Sequence, residues 1–142
     1  MEQRIRRDLA FLFEEYRAVV RSNAVDPFGF SQIIVTAGNV DFRFTYLKRE
    51  DDCQLAVGPR DGHGVWELLH VALAAATGES AEGLSIPLSC SDRPSGSSYL
   101  GLTGVASTLK PRFAELNKAF APENYPTARS RMIDIERAVH PR

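Results

Sequence analysis

The chain has 142 residues, of which 44% are hydrophobic and 25% charged, and its net charge is −1. This length and composition suit a single globular domain, residues 1–142, with one core. Binding to nucleic acid is not expected, because phosphate recognition needs clustered Lys and Arg, and no apolar stretch approaches the ~20 residues that cross a membrane. The first residues lack the apolar segment of a signal peptide, so the sequence predicts a cytoplasmic protein.

The chain is predicted to open with a helix and a strand. Apolar residues recur at helical spacing from Glu2 to Tyr16, with charged residues mostly on the other side. Two adjacent valines then indicate a first strand over residues 17–22. The Asp26-Pro27 pair favours a turn in the connection that follows.

Residues 31–57 carry the clearest pattern of the sequence, an alternation of apolar and polar side chains. Period-two alternation places successive side chains on opposite faces of a sheet, so this region is predicted to be an antiparallel meander with one buried face. A turn is expected at Gly38-Asn39, and Lys48–Asp52 forms a charged tip. On this pattern Phe44 should be buried and Arg43 largely exposed.

A central helix is predicted from Val65 to Thr77, ended by Gly78 as a left-handed cap. This helix is apolar on nearly every side, which predicts burial against more than one layer or against a partner chain. Two C-terminal helices should follow a long serine-rich loop over residues 79–101. One runs from Thr108 to Phe120, with a proline in its first turn, and one from Thr127 to His140.

The predicted fold class is therefore α+β. An antiparallel β-meander of about four strands should pack against the N-terminal helix, the central helix and the two C-terminal helices. No internal repeat and no linker divides the chain into smaller units.

No strong catalytic motif is present, and the sequence assigns no catalytic, cofactor-binding or metal-ligating residue. His63 and His70 lie near Glu67, but zinc usually needs three or four ligands, so a partly exposed helical histidine is preferred. Two cysteines are too few for a disulfide framework. Cys53 has the parity of a buried strand residue, whereas Cys90 should be accessible in the long loop.

The long loop supports an alternative function. Ser89, Cys90 or Ser91 would make a nucleophile for acyl transfer if the fold brought a histidine beside it. Under this alternative the protein is a small hydrolase or transferase that uses the Ser85–Tyr99 loop. A solvated turn is the simpler interpretation, because a sequence does not show the required geometry.

Contact with another protein is the preferred role for the exposed turns. A charged hairpin tip is usually only solvated, yet exposed aromatic residues beside charges make good interface anchors. The candidate partner-binding residues are Phe28, Phe30, Arg49, Glu50, Asp51, Asp52, Arg60 and Asp61.

Several segments of residues 1–60 carry a resemblance to a known class of protein. They are Phe11–Tyr16, Val19–Arg21, Ile33–Val35, Val40–Phe44 and Cys53–Pro59. In this layout, a helix followed by a meander, the region resembles small bacterial immunity-type proteins, which bind and neutralise a polymorphic or contact-dependent toxin made by the same cell. The resemblance implies a non-enzymatic protein whose partner is a cognate toxin, and it carries over no functional residues.

A third alternative is a dimeric adaptor or secretion-chaperone-like protein. The apolar central helix would suit such a role, because a partner chain could cover it. A homodimer is therefore left open by the sequence.

Overall fold

The structure, a computed structural model, describes residues 2–25, 27, 29–47, 52–60, 65–84 and 102–139. Its centre is an antiparallel sheet of five strands in which strand order follows chain order. The strands are β1 (Val19–Val25), β2 (Phe30–Ala37), β3 (Val40–Leu47), β4 (Asp52–Pro59) and β5 (Glu67–Leu68). Helices pack on one face of the sheet, and the predicted α+β fold is confirmed.

The helices form a layer on that face. They are α1 (Glu2–Asp8), α2 (Ala10–Tyr16), α3 (Leu69–Thr77), α4 (Leu102–Leu109), α5 (Phe113–Ala119) and α6 (Tyr125–Val139), with 3₁₀ turns at Glu82–Leu84 and Lys110–Arg112. Over the described ranges, no helix has the length and apolar character needed to span a lipid bilayer.

Alternation along the strands determines which face of the sheet is covered. Across β2, β3 and β4, Ile33 pairs with Phe44, and Phe44 pairs with Leu55. These three side chains are at most 2% exposed, so the prediction that Phe44 is buried is confirmed. Apolar side chains of this parity form the core together with the helices.

The helix α3 is buried on several sides, as its apolar sequence predicts. Leu69 and the run Val71–Ala75 are all buried, and the helix packs against β4, α5 and α6. Gly78 ends it with a left-handed backbone, φ 81°, and its N–H donates to the Ala74 carbonyl oxygen at 2.9 Å. The predicted glycine cap is therefore confirmed.

The N-terminal prediction is wrong in two details. The helix is broken at Leu9, whose backbone (φ −114°, ψ 36°) lies outside the helical region, and no glycine or proline marks this break in the sequence. The first strand runs over Val19–Val25 instead of residues 17–22. Arg17 adopts a left-handed conformation that ends α2, and this moves the start of the strand along the chain.

The central helix starts later than predicted. Glu67–Leu68 forms the short strand β5, which pairs with Ala56–Val57 of β4, and α3 begins at Leu69. The helix predicted from Val65 is therefore wrong in its first turn. A run of apolar residues does not distinguish a buried strand from a buried helix, and here pairing with β4 decides the outcome.

The C-terminal region holds three helices instead of the two predicted. Pro111 has no N–H to donate and lies in the 3₁₀ turn that separates α4 from α5. The predicted helix Thr108–Phe120 therefore covers the end of α4, the 3₁₀ turn and α5. The helix α4 itself begins at Leu102. The helix α6 begins at Tyr125, so Thr127 lies in its first turn instead of capping it.

Some sequence predictions fall on residues that the structure does not describe. They concern Asp26, His63, His140, the loop over residues 85–101 with Cys90, and the side chain of Cys53. These stay predictions.

Replacing Arg17 by glycine should raise the free energy of unfolding by about 0.5–1 kcal/mol. Arg17 is exposed and holds φ 53° and ψ 45°, a left-handed conformation that is unfavourable for a residue with a Cβ atom. Arg21→Gly, at an exposed position of β1 without a positive φ, should instead lower the free energy by a similar amount. Urea unfolding measures both changes, and a destabilised Arg17→Gly protein would contradict the expectation.

Candidate functional site

The face of the sheet opposite the core, which we call the open face, carries side chains that are half-exposed or exposed. It includes Gln32, Ile34, Arg43, Thr45, Gln54, Ala56 and Leu68. Leu68 is 48% exposed, although it is a large apolar residue in a strand. Arg43 and Asp41 are the charged residues of β3 on this face, and the other side chains named are uncharged. A surface with few charges is typical of the centre of a protein interface.

Trp66 lies on the open face, where it contacts Gly58 and Arg43. A Cβ atom at Gly58 would be 3.4 Å from the Trp66 ring, so the missing side chain leaves room for the indole against the strand. The Arg43 guanidinium carbon is 4.7 Å from the ring centroid, a cation–π contact. The prediction that Arg43 is largely exposed is therefore wrong: its side chain has the predicted parity but is half-buried over Trp66.

A cleft of about 430 Å³ opens beside this pair, where β5 stops after two residues. Its lining residues are Arg43, Thr45, Gln54, Leu55, Ala56, Trp66, Glu67, Leu68 and Glu136. Glu136 belongs to α6, so the cleft lies between the open face and the C-terminal part of that helix. Two carboxyl groups and one guanidinium thus share a single cleft.

Glu67 is 6% exposed, which is unusual for a carboxylate. Its Oε1 accepts a hydrogen bond from the Leu68 N–H at 3.0 Å, and its Oε2 accepts a longer one, 3.5 Å, from Nη1 of Arg129. Glu136 lies within hydrogen-bonding reach of the same carboxyl group. A buried acid is therefore held between one arginine and a second acid.

One stripe of α6 supplies this environment. Tyr125, Arg129, Met132 and Glu136 follow one another at spacings of four, three and four residues, which places them on one side of a helix. Among the described residues, the buried Tyr125 hydroxyl makes no hydrogen bond of good geometry, although the Val65 backbone lies close to it. Burial raises the pKa of this phenol above its ordinary value of 10.0.

Burial raises the pKa of Glu67 above its ordinary value of 4.5, because the protein interior disfavours the charged form. Glu136 raises this pKa further through a hydrogen bond and through repulsion. The Leu68 N–H and Arg129 act in the opposite direction. The fold therefore favours the protonated form of the Glu67 carboxyl group.

Wild-type protein should lose stability relative to a Glu67→Gln variant as the pH rises above 4.5. The folded state binds a proton at Glu67 more tightly than the unfolded state does. This contribution to stability is fully present below the ordinary pKa and is lost as the pH rises through the raised pKa of the folded protein. Glutamine keeps the acceptor oxygen for the Leu68 N–H but does not ionise. Urea unfolding of both proteins from about pH 4 to about pH 8 measures the difference.

Other acids do not disturb this comparison. The pKa of Glu79 is lowered by hydrogen bonds from Arg112, and that of Glu2 by its hydrogen bond from Arg6. Both effects are equal in the two proteins and cancel in the difference. A stability difference that stays constant over the pH range would show that Glu67 titrates as it does in water.

The carboxyl pair is not part of a metal-binding cluster within the described residues. No group of three His, Cys, Asp or Glu there has a geometry that could hold a metal ion. His70 is half-buried in α3, whereas the Glu67 carboxyl group contacts Arg129 and Glu136 on α6.

The described members of the predicted partner-binding set lie at both ends of the sheet. Phe30 begins β2 and is half-buried, and Asp52 begins β4 at the same end of the sheet. Arg60 is exposed at the other end, where its N–H donates to the Asn39 carbonyl oxygen at 3.0 Å. The length of β4 separates Asp52 from Arg60, about 26 Å for a strand of this size.

The other predicted contacts lie outside the described residues. They are Phe28, Arg49, Glu50, Asp51 and Asp61. The role of the charged tip in partner binding stays a prediction.

The apolar pattern predicts Trp66 and Glu67 inside the central helix, and it therefore does not predict the cleft. One signal was present: the single tryptophan of the chain precedes an acid inside an apolar run. An acid in such a run predicts a buried carboxyl group with a partner, because an isolated charge is too costly to bury. No local pattern in the sequence predicts the contact of Arg43 with Trp66, since this contact depends on where Trp66 lies in the fold.

Comparison of the chain with protein-family models, with curated proteins and with solved structures gave no match.

Proposed function

We propose that this protein is a non-enzymatic protein-binding protein whose contact surface is the open face around Arg43 and Trp66, and that it neutralises a cognate bacterial toxin as an immunity-type protein. The observation that carries the proposal is the cation–π contact between Arg43 and Trp66 on the open face, where both side chains are half-buried. Tryptophan and arginine are among the residue types that most often dominate the binding energy of protein interfaces.

The surroundings of this pair support the same role. Thr45, Gln54 and Ala56 are small or uncharged, and Leu68 adds exposed apolar surface. Interface centres are depleted of charge in this way and bury their aromatic anchors in the partner. The cleft of about 430 Å³ is large enough to receive a side chain of the partner.

The immunity-type part of the proposal draws on the layout of residues 1–60, a helix followed by a meander. In such a mechanism the protein covers or distorts the toxin's active site, so it needs no catalytic group of its own. Charge complementarity would supply the association rate and much of the specificity. The proposal places both proteins in the cytoplasm, where the toxin would otherwise act on the cell that makes it.

A co-expression assay tests this proposal. The product of the adjoining gene is expressed alone and together with this protein, and rescue of growth with co-purification is the expected result. Trp66→Ala should lower the affinity at least about tenfold, and Leu68→Ser should weaken rescue. Val25→Ser is the matched control for Leu68→Ser, because Val25 is an exposed aliphatic residue on the opposite edge strand, and this variant should protect like wild type.

Circular dichroism and urea unfolding first establish that each variant is folded. An adjoining product without toxicity would overturn the immunity-type proposal. A toxic product that the Trp66→Ala protein neutralises as well as wild type would show that the open face is not the contact surface. A dimer in solution that Trp66→Ala dissociates would assign the open face to self-association, in favour of a dimeric adaptor.

A further inference from the structure

Arg43 is held in place by the ring beneath it. Its guanidinium carbon lies 4.7 Å from the centroid of Trp66, and that ring in turn lies against Gly58, where a Cβ atom would be 3.4 Å away. A contact at this distance restricts the side chain, and an arginine over an aromatic ring keeps N–H donors that can bond to a third group. The side chain is therefore a preorganised fork of donors, and little conformational entropy is lost when it binds.

The donors of Arg43 have no acidic partner in the part of the chain that the structure describes. Other arginines there are ion-paired, namely Arg6, Arg7, Arg112 and Arg129. Arg112 shows the complete arrangement, because its Nε and Nη2 donate to both carboxylate oxygens of Glu79 at 2.7 and 2.9 Å. Arg43 lines the cleft, and its guanidinium carries the same set of N–H donors.

The acids that share the cleft or the open face with Arg43 are bonded elsewhere. Glu67 and Glu136 lie within hydrogen-bonding reach of each other, on the side of the cleft next to α6. Asp41, on the same strand as Arg43, accepts a hydrogen bond from the Thr36 hydroxyl at 2.6 Å. Among the described residues, none of these acids therefore completes the fork.

We infer that Arg43 is the anchor through which this protein recognises a carboxylate, so that its partner presents an aspartate or glutamate side chain to the cleft. This inference rests on the proposed binding function of the open face. Thr45 and Gln54 add hydrogen-bonding groups around the anchor, and Leu68 adds apolar surface. A partner with an uncharged or basic residue at this point would leave the guanidinium desolvated and unpaired, which is how such a contact gives specificity.

The carboxylate site can be tested without the partner. N-acetyl-glutamate amide, a glutamate side chain on a neutral backbone, is titrated into isotope-labelled protein while the Nε–Hε resonance of Arg43 is followed. We expect a saturable shift, several times larger than that of the exposed Arg21. N-acetyl-glutamine amide has the same shape without the charge and should give no shift, and Trp66→Ala should abolish the response. A shift of Arg43 no larger than that of Arg21 would overturn the inference.

Two substitutions at Arg43, measured in the toxin assay, distinguish the contribution of the planar guanidinium to affinity from that of its charge. Arg43→Lys keeps the charge without the fork, and Arg43→Gln keeps a planar group without the charge. Both should lower the affinity about tenfold or more, whereas Arg21→Lys should leave it unchanged. Unchanged binding by Arg43→Lys with lost binding by Trp66→Ala would overturn this inference and leave the proposed function standing. If neither residue matters, the proposed contact surface is wrong, and the amide titration still decides the carboxylate site.

Discussion

Replacing Phe113 by alanine should lower the free energy of unfolding by about 3–5 kcal/mol, as for other large aromatic truncations in protein cores. Phe113 is fully buried at the start of α5. Its ring centroid lies 6.2 Å from that of Phe11, 4.3 Å from that of Tyr16 and 6.1 Å from that of Phe42. The side chain therefore joins α2 to the sheet, and alanine would leave a cavity where α2, β3 and α5 meet.

Urea unfolding at neutral pH measures this loss. Phe113→Leu should fall between wild type and Phe113→Ala, because leucine fills part of the same volume. Val25→Ala is the exposed control: Val25 is 69% exposed on β1, so the change should stay within about 0.5 kcal/mol. A Phe113→Ala protein as stable as the Val25→Ala control would mean that the ring is not packed as described.

The sheet is the part of the fold that the sequence predicts best, because its pattern is local. In β3, Val40, Phe42 and Phe44 are at most 1% exposed, whereas the residues between them are half-exposed. This alternation depends on the geometry of a strand alone and needs no knowledge of the neighbours. The cap of α3 is predictable for a similar reason, since Gly78 is the residue type that a left-handed helix end favours.

Elements that depend on distant contacts are not predictable in this way. The strand β5 exists because Glu67–Leu68 pairs with Ala56–Val57, and its own sequence reads as the start of the helix that follows. The break at Leu9 likewise has no local mark, because no glycine or proline accompanies it. Pro111 is visible in the sequence, but the pattern predicts it in the first turn of one helix, whereas it lies in the turn between two.

The candidate site combines both kinds of information. The parity of Arg43 follows from the alternation of β3, and that part of the prediction holds. The ring that half-buries it comes from Trp66, which precedes β5 and reaches the open face only because that strand exists. Glu136 reaches the cleft from the last helix of the chain. A site assembled from three distant segments leaves almost no local signal in any of them.

Replacing Gly38 by alanine should lower the free energy of unfolding by about 2–4 kcal/mol, which combines backbone strain with a lost hydrogen bond. Gly38 holds φ 58° in the turn between β2 and β3, and a Cβ atom there would be 2.9 Å from the side-chain carbonyl carbon of Asn117. Two hydrogen bonds from Asn39 to Asn117 connect this turn to α5. The Asn117 Oδ1 accepts the Asn39 N–H at 2.7 Å, and the Asn117 backbone oxygen accepts the Asn39 side-chain amide at 3.0 Å.

Gly78→Ala separates the two contributions, because Gly78 also has a positive φ, 81°, but no atom lies within 4 Å of the position of its Cβ. This variant should show the backbone strain alone, about 1–2 kcal/mol. Gly38→Ala should exceed it by about 1–2 kcal/mol, the contribution of a hydrogen bond and a displaced side chain. In an Asn117→Ala background, the loss caused by Gly38→Ala should fall to the Gly78→Ala value, because the obstructing side chain is gone. Equal losses from Gly38→Ala and Gly78→Ala in the wild-type background would show that the contact between the turn and α5 adds nothing to stability.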